Sequence, residues 1–279
     1  INRTSTASVY TVVVSGGELK MTGGRIYAEN QKDKVDNNSW WPAIAVYVGS
    51  STNAKLTMTG GTVQAEAKYA AYPIYSYSTS NISGGTVRAN ATGAGNARCV
   101  EVLKGTTTIS GTAHLIASGT TGITGCIADA WISTNGTSIN EGTLIVSGGT
   151  IDVSATNTTA SASGVSVSGL AKVVDGTAYT AHGTATVSGG TFNVTSSVTD
   201  VTQVFGVIVN RTRVFSDATP HVMQAEGKGV CTIEGGTFNV ETKNGSTLVG
   251  AGNIEALRSW GTLTVTGGTF NCTAIDRKS

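Results

Sequence analysis

The chain has 279 residues, 39% of them apolar and 13% charged, with 37 glycines and a formal net charge of +1. This near-neutral balance provides no field to draw it to nucleic acid or to an anionic membrane, and the apolar share is too large for a disordered polyelectrolyte. No apolar run reaches the roughly 18 residues of a membrane-spanning helix, so membrane insertion is not expected.

In chain order, the first apolar stretch is Val9-Tyr-Thr-Val-Val-Val, followed by a diglycine unit, Met21-Thr-Gly-Gly-Arg-Ile-Tyr. A polar loop from Glu29 to Asn38 and the pair Trp40-Trp41 lead into Ala43-Ile-Ala-Val-Tyr-Val. Further diglycine units follow at Met58-Thr-Gly-Gly-Thr-Val-Gln and Ile82-Ser-Gly-Gly-Thr-Val-Arg, then a degraded copy, Ile109-Ser-Gly-Thr-Ala-His-Leu. The series continues through Val146-Ser-Gly-Gly-Thr-Ile-Asp and Val187-Ser-Gly-Gly-Thr-Phe-Asn to Ile233-Glu-Gly-Gly-Thr-Phe-Asn and Val265-Thr-Gly-Gly-Thr-Phe-Asn. Between these units lie the apolar stretches Gly164-Val-Ser-Val and Gly206-Val-Ile-Val. First glycines are spaced by 37, 24, 27, 37, 41, 46 and 32 residues, so the shortest repeat is close to a minimal three-strand unit and the others carry insertions.

Each unit has the same pattern. Apolar residues alternate with Thr or Ser before the glycines, as in Leu263-Thr-Val-Thr, and again after them, as in Thr191-Phe-Asn-Val. Period two marks strands with one buried and one wet face, and glycine turns the chain between them because it reaches positive φ without a Cβ clash. No 3.6-residue period is sustained, and no helical crossover fits between the strands. The expected fold is therefore all-β: a right-handed, single-stranded parallel β-helix, a solenoid of about eight coils with loop insertions. Residues 1–279 are read as one such domain. The last unit has no polar cap, which points to a segment of a longer surface protein or to an end covered by another chain.

These Thr-Val-Ser-Gly-Gly-Thr-Phe units, such as 186–192, resemble the Gly/Thr-rich right-handed parallel β-helix repeats of bacterial extracellular adhesins and non-catalytic carbohydrate-binding β-helix proteins, which share the pectate-lyase-like superfold. The resemblance covers nearly the whole chain. It implies an extracellular or cell-surface location, no cofactor, and a partner that is a host or plant glycan or a glycoprotein. It also implies end-to-end self-association or neighbouring domains. Some carbohydrate-binding members hold calcium on repeated Asp-Gly pairs; here only Asp175-Gly176 occurs, so no metal is expected.

For ligand binding, seven of the 12 Trp and Tyr residues fall between positions 40 and 77. Tyr47 and Tyr75 belong to the same strand of successive repeats, where their rings stack on the outer face. With Trp40, Trp41, Tyr72 and Tyr77 they form the candidate glycan platform, since sugar rings lay their C–H faces on aromatic rings. The competing reading of the same residues is structural: they plug a solenoid end or pack a long loop, a common device. Acids are scattered; Glu101 and Asp129 fall near each other in adjacent repeats with Arg98 close by, and they read as isolated surface charges. His114, His182 and His221 lie apart without motif partners. No catalytic set is therefore assigned, and an adhesin module is expected. The alternatives are a structural spacer or filament subunit, a polysaccharide lyase or hydrolase, and an ice-binding solenoid using outward ladders such as Thr62, Thr86, Thr150, Thr191, Thr237 and Thr269. Cys99 and Cys126 occupy similar places in successive repeats, as a disulfide or as two buried thiols, while Cys231 and Cys272 take inward slots as small core residues.

Overall fold

The computed structural model describes residues 2–4, 8–32, 42–93, 95–156, 161–196, 203–216, 219, 221–242 and 254–274. Among them the chain is all-β, with no helix, and it is dominated by parallel sheets. The chain visits three strand positions in turn. A strand before each glycine corner, such as Lys55–Met58, pairs in parallel with its counterparts Glu18–Met21 and Thr79–Ile82. A strand after each corner, such as Thr62–Ala67, pairs with Arg25–Asn30 and Thr86–Ala91. The third position forms its own eight-stranded parallel sheet, from Val9–Val14 through Pro42–Val48 and Ala70–Ser76 to Ile254–Ser259. In Ile139–Ala155 and Thr184–Ser196 the strand runs on through the corner, which joins the first two positions into one 16-stranded sheet.

Register keeps equivalent residues on top of one another. Val63, Val87, Leu115, Ile151, Phe192, Phe238 and Phe270 form one inward column, and all but the half-buried Phe270 are fully buried. The outward Thr column is also as read, with Arg25 preceding Thr62 and His114 standing between Thr86 and Thr150.

The two glycines of a corner serve different purposes. The second takes positive φ, as in Gly61 at +87°. The first is small because the chain below leaves no room: a Cβ on Gly60 would sit 2.5 Å from the Thr22 carbonyl oxygen. The degraded copy has one residue more between Ile109 and His114 than its neighbour has between Ile82 and Thr86, and Gly111 absorbs it at φ +57°.

The third strand is bent at one position in every repeat. Pairing skips Ala45, Pro73, Cys99, Gly125, Gly164 and Gly206, and two consecutive residues there face the core, as Ala45 and Val46 do. The column shrinks to glycine where the facing residue is large: a Cβ on Gly125 would lie 2.3 Å from Ile151, and one on Gly164 3.2 Å from the Phe192 ring. Small against large keeps the interior filled at native density.

One inward column is not apolar throughout: Leu56, Ser80, Thr107 and Leu144 follow one another. Ser80 Oγ is 3.0 Å from Ser76 Oγ, but Thr107 Oγ1 is buried and has no hydrogen-bond partner among the described residues. An orphan buried hydroxyl costs about 1–3 kcal/mol. Thr107→Val is therefore expected to raise the thermal midpoint, with a gain of about 1 kcal/mol; a lower midpoint would show that the hydroxyl is satisfied in solution.

Candidate functional site

The bend sets the chemistry of the third sheet's outer face. Residues flanking it point outward in two columns, and the columns meet side chain to side chain. Arg98 and Glu101 are ion-paired at 2.9 Å, Glu255 and Arg258 at 2.8 Å, and the rings of Tyr72 and Tyr75 are 5.8 Å apart.

At one end this face is a tyrosine cluster. Tyr47 and Tyr75 are register partners whose rings stack at 6.1 Å with a 21° interplanar angle, as the sequence leads one to expect. Tyr77 packs against both at 5.7–5.8 Å, and Tyr10 meets Tyr47 edge-on at 5.7 Å. Tyr72 and Tyr75 are only 3% and 8% exposed, packed with Ile44 and Leu103; Tyr47 and Tyr77 are half-buried. Burial pushes the Tyr47, Tyr75 and Tyr77 phenols above their ordinary range, so they remain protonated donors. Trp40 and Trp41 lie outside the described residues.

The middle of the face holds charge. Glu101 is 4% exposed and Arg98 half-buried, which corrects the reading of isolated surface charges: the bend draws both into the two converging columns. The Arg98 guanidinium lies 5.6 Å from the centre of the Tyr72 ring. Glu101 Oε1 takes the Arg98 contact, while Oε2 is buried and accepts no hydrogen bond among the described residues. Burial raises the Glu101 carboxyl above its ordinary range; Arg98 pulls it back and the nearby Asp129 carboxylate pushes it up further. Asp129 Oδ1 accepts hydrogen bonds from the Ser168 hydroxyl and, at 2.9 Å, from the Ala130 N–H.

Beyond the ion pair lies a cleft of about 270 Å³. Thr124, Ser163 and Ser166 form its hydroxyl floor, with Ile127, Phe205 and Ile208 as apolar patches and Asn96, Arg98, Gln203 and Asn210 at its margins. Thr124 Oγ1 and Ser163 Oγ are 3.2 Å apart. The sequence reading missed this cleft. Its signal was present in Thr124-Gly125, Ser163-Gly164 and Phe205-Gly206, where a residue flanking each bend glycine faces outward.

The cysteines differ from the expected register. Cys126 pairs with Val100, so Cys99 stands one place off, and both are free, fully buried thiols. The reason is the bend, which falls on Cys99 in one repeat and on Gly125 in the next. Cys231 is buried between Ala185 and Leu263, and Cys272 is exposed beside Val240. Of the histidines, His114 is not without a partner: its Nε2 is 2.6 Å from Asp152 Oδ2, at the head of an amide ladder through Asn193, Asn239 and Asn271. Asp175-Gly176, weighed as a calcium pair, is the turn of a hairpin joining Gly169–Val174 to Thr177–His182, with φ of 49° and 76°. Among the described residues no group of three or more His, Cys, Asp or Glu gathers as a metal centre. Compared with protein-family models, curated proteins and solved structures, the chain matches none.

Proposed function

We propose that the chain is a right-handed parallel β-helix that acts as a non-catalytic glycan-binding module of an extracellular or cell-surface protein. In support of the winding, each inner third-position strand pairs with the equivalent strand of the repeats before and after it, and parallel crossovers of this kind are right-handed in about 98% of cases. Eight turns at ~4.8 Å give a rod about 4 nm long, with the third sheet as one long face.

The observation that carries the binding reading is the outer-face cleft. Small hydroxyl residues on its floor, amide side chains at its rim and a tyrosine bank beyond Arg98 supply both the hydrogen bonds and the apolar surface that a sugar chain needs. Exposed glycan stacking moves from Tyr72 and Tyr75, which are largely covered, to the accessible edges of Tyr47 and Tyr77. The Glu101–Asp129 pair is locked to Arg98 and Ser168 rather than presented to the cleft, which disfavours the hydrolase or lyase reading.

On a glycan array the chain is expected to bind at least one neutral or mixed oligosaccharide and to release no reducing ends. Thr124→Val with Ser163→Ala should weaken that binding about tenfold, from two lost hydrogen bonds of about 0.5–1.5 kcal/mol each. A blank array, or unchanged affinity in the double variant, would remove the cleft from consideration.

A further inference from the structure

Three insertions leave the sheets as antiparallel hairpins: Ala130–Ile132 with 139–141, Gly169–Val174 with Thr177–His182, and Arg211–Phe215 with Met223–Lys228. They pack on one another. Lys172 Nζ of the second donates to the Ser133 and Thr134 carbonyls of the first at 3.2 and 3.1 Å. Thr212 Oγ1 of the third donates to the Gly169 carbonyl of the second at 2.9 Å, and a Cβ on Gly227 would lie 2.0 Å from the Leu170 carbonyl oxygen. The third hairpin therefore has one covered face, with Thr212, Val214, Ala225 and Gly227. Its other face is open and presents the register pairs Arg211–Lys228, Arg213–Glu226 and Phe215–Met223.

On this open face three cations converge on one carboxylate. Lys228 Nζ is 2.8 Å from Glu226 Oε2, and Arg213 Nε and Arg211 Nη1 are 2.5 and 3.6 Å from Oε1. Among the described residues these are three positive charges against one negative, an excess of two. Each guanidinium has five N–H donors, and a single carboxylate cannot occupy both sets. Lys228 and Arg213 also hold the Glu226 carboxyl down to about 2, so the balance does not change across physiological pH.

At the root of the same hairpin stands Trp260, 43% exposed. Its backbone N–H donates to the Val209 carbonyl at 2.8 Å, and Gly261 packs under Gly229, the residue that follows Lys228. The Arg258 guanidinium lies 5.0 Å from the indole centre and 5.1 Å from the centre of the Phe205 ring. An exposed indole whose backbone abuts the root of a cationic hairpin suits one ligand chemistry: a sugar bearing carboxylate or sulfate, with its C–H face on the ring and its anionic group on the cations.

We propose that this face is a second binding site, for an acidic polysaccharide, held by Arg211, Arg213 and Lys228 with a sugar ring on Trp260. The proposal rests on the glycan-binding reading but uses none of the cleft residues. The intact chain would be titrated at low salt with polygalacturonate, dextran sulfate, neutral dextran and phosphatidylserine vesicles. One or both acidic polymers should bind, neutral dextran and vesicles should not, and raising the salt should weaken the acidic polymers. Arg211→Gln, Arg213→Gln and Lys228→Gln together should cost at least about tenfold in affinity with the thermal midpoint unchanged. Glu226→Gln, which adds net positive charge, should tighten binding. Thr124→Val with Ser163→Ala should leave acidic polymers unaffected. Failure of both acidic polymers to bind, loss of affinity in Glu226→Gln, or loss through the cleft variant would overturn the proposal. Vesicle binding abolished by the triple variant would overturn it in favour of a lipid surface. Retention of a neutral glycan by the triple variant would show that the cleft reading stands even if this one falls.

Discussion

Phe238→Ala is expected to destabilise the chain by about 3–5 kcal/mol in urea denaturation. Phe238 is fully buried and lies in a ring column, its centroid 4.5 Å from Phe192 and 5.1 Å from Phe270, with interplanar angles of 7° and 10°. Truncation removes buried surface and both stacking partners at once. The void cannot close from the opposite side, because the facing residue is Gly206: a Cβ there would lie 2.5 Å from the Ala256 carbonyl oxygen, so that backbone is already in contact. Phe270→Ala, at a half-buried ring, should cost distinctly less, and Phe238→Leu about 1.5 kcal/mol or less. Equal losses at Phe238 and Phe270 would show that the column is not a continuous packed core.

Arg98→Met is the second large effect, about 3–5 kcal/mol at neutral pH, and it should depend on pH. Arg98 is the ion-pair partner of Glu101, whose carboxyl is already raised above the usual 4.5 by burial. Without the guanidinium, an ionised Glu101 is left in the fold beside Asp129 and must take up a proton. A raised carboxyl in the folded chain means that its penalty is absent below the unfolded range and grows as pH rises towards the shifted value. The deficit of Arg98→Met should thus shrink between pH 7 and about pH 4, and Glu101→Gln in the same chain should recover part of it at pH 7. A deficit that stays flat with pH would mean that Arg98 acts through packing on Tyr72 and not through charge.

Much of this structure is legible in the residues. Alternation around each corner identifies the inward columns, and equal spacing within Pro42–Val48 and Ala70–Ser76 places Tyr47 against Tyr75. What escapes is whatever depends on the neighbouring repeat. The first glycine of a corner reads as a turn residue, yet Gly60 is required by the Thr22 carbonyl above which it sits, 37 positions from Gly23. The bend at Cys99 and Gly125 shifts the register that an unbroken period of two assigns to Cys126, and with it the outward face. The second hairpin could have been recognised: Asp-Gly between Val173-Val174 and Thr177-Ala178 is a strong local hairpin signal, and its weighing as a metal pair obscured it. The charge cluster on Glu226 could not, because alternation alone does not say which face of an inserted hairpin is left open.

The close fit at the diglycine corners has a consequence for how such a chain can change. A residue added there would push a backbone into the one beneath it, and only the site of Gly111, already one residue longer, shows how an addition is absorbed. The passages between the third and first strand positions are also tight at single glycines, as at Gly261 against the Gly229 carbonyl, yet they admit additions of very different length: a tight turn at Trp260 and the 18-residue excursion from Arg211 to Lys228 serve the same junction. Inheritance of new sequence is thereby channelled away from the corners to the two other junctions, since the stretch between second- and third-position strands also ranges from two residues (68–69) to eleven (31–41). Related chains should vary in the fringes they wear at those junctions while the sheets beneath keep the same gauge.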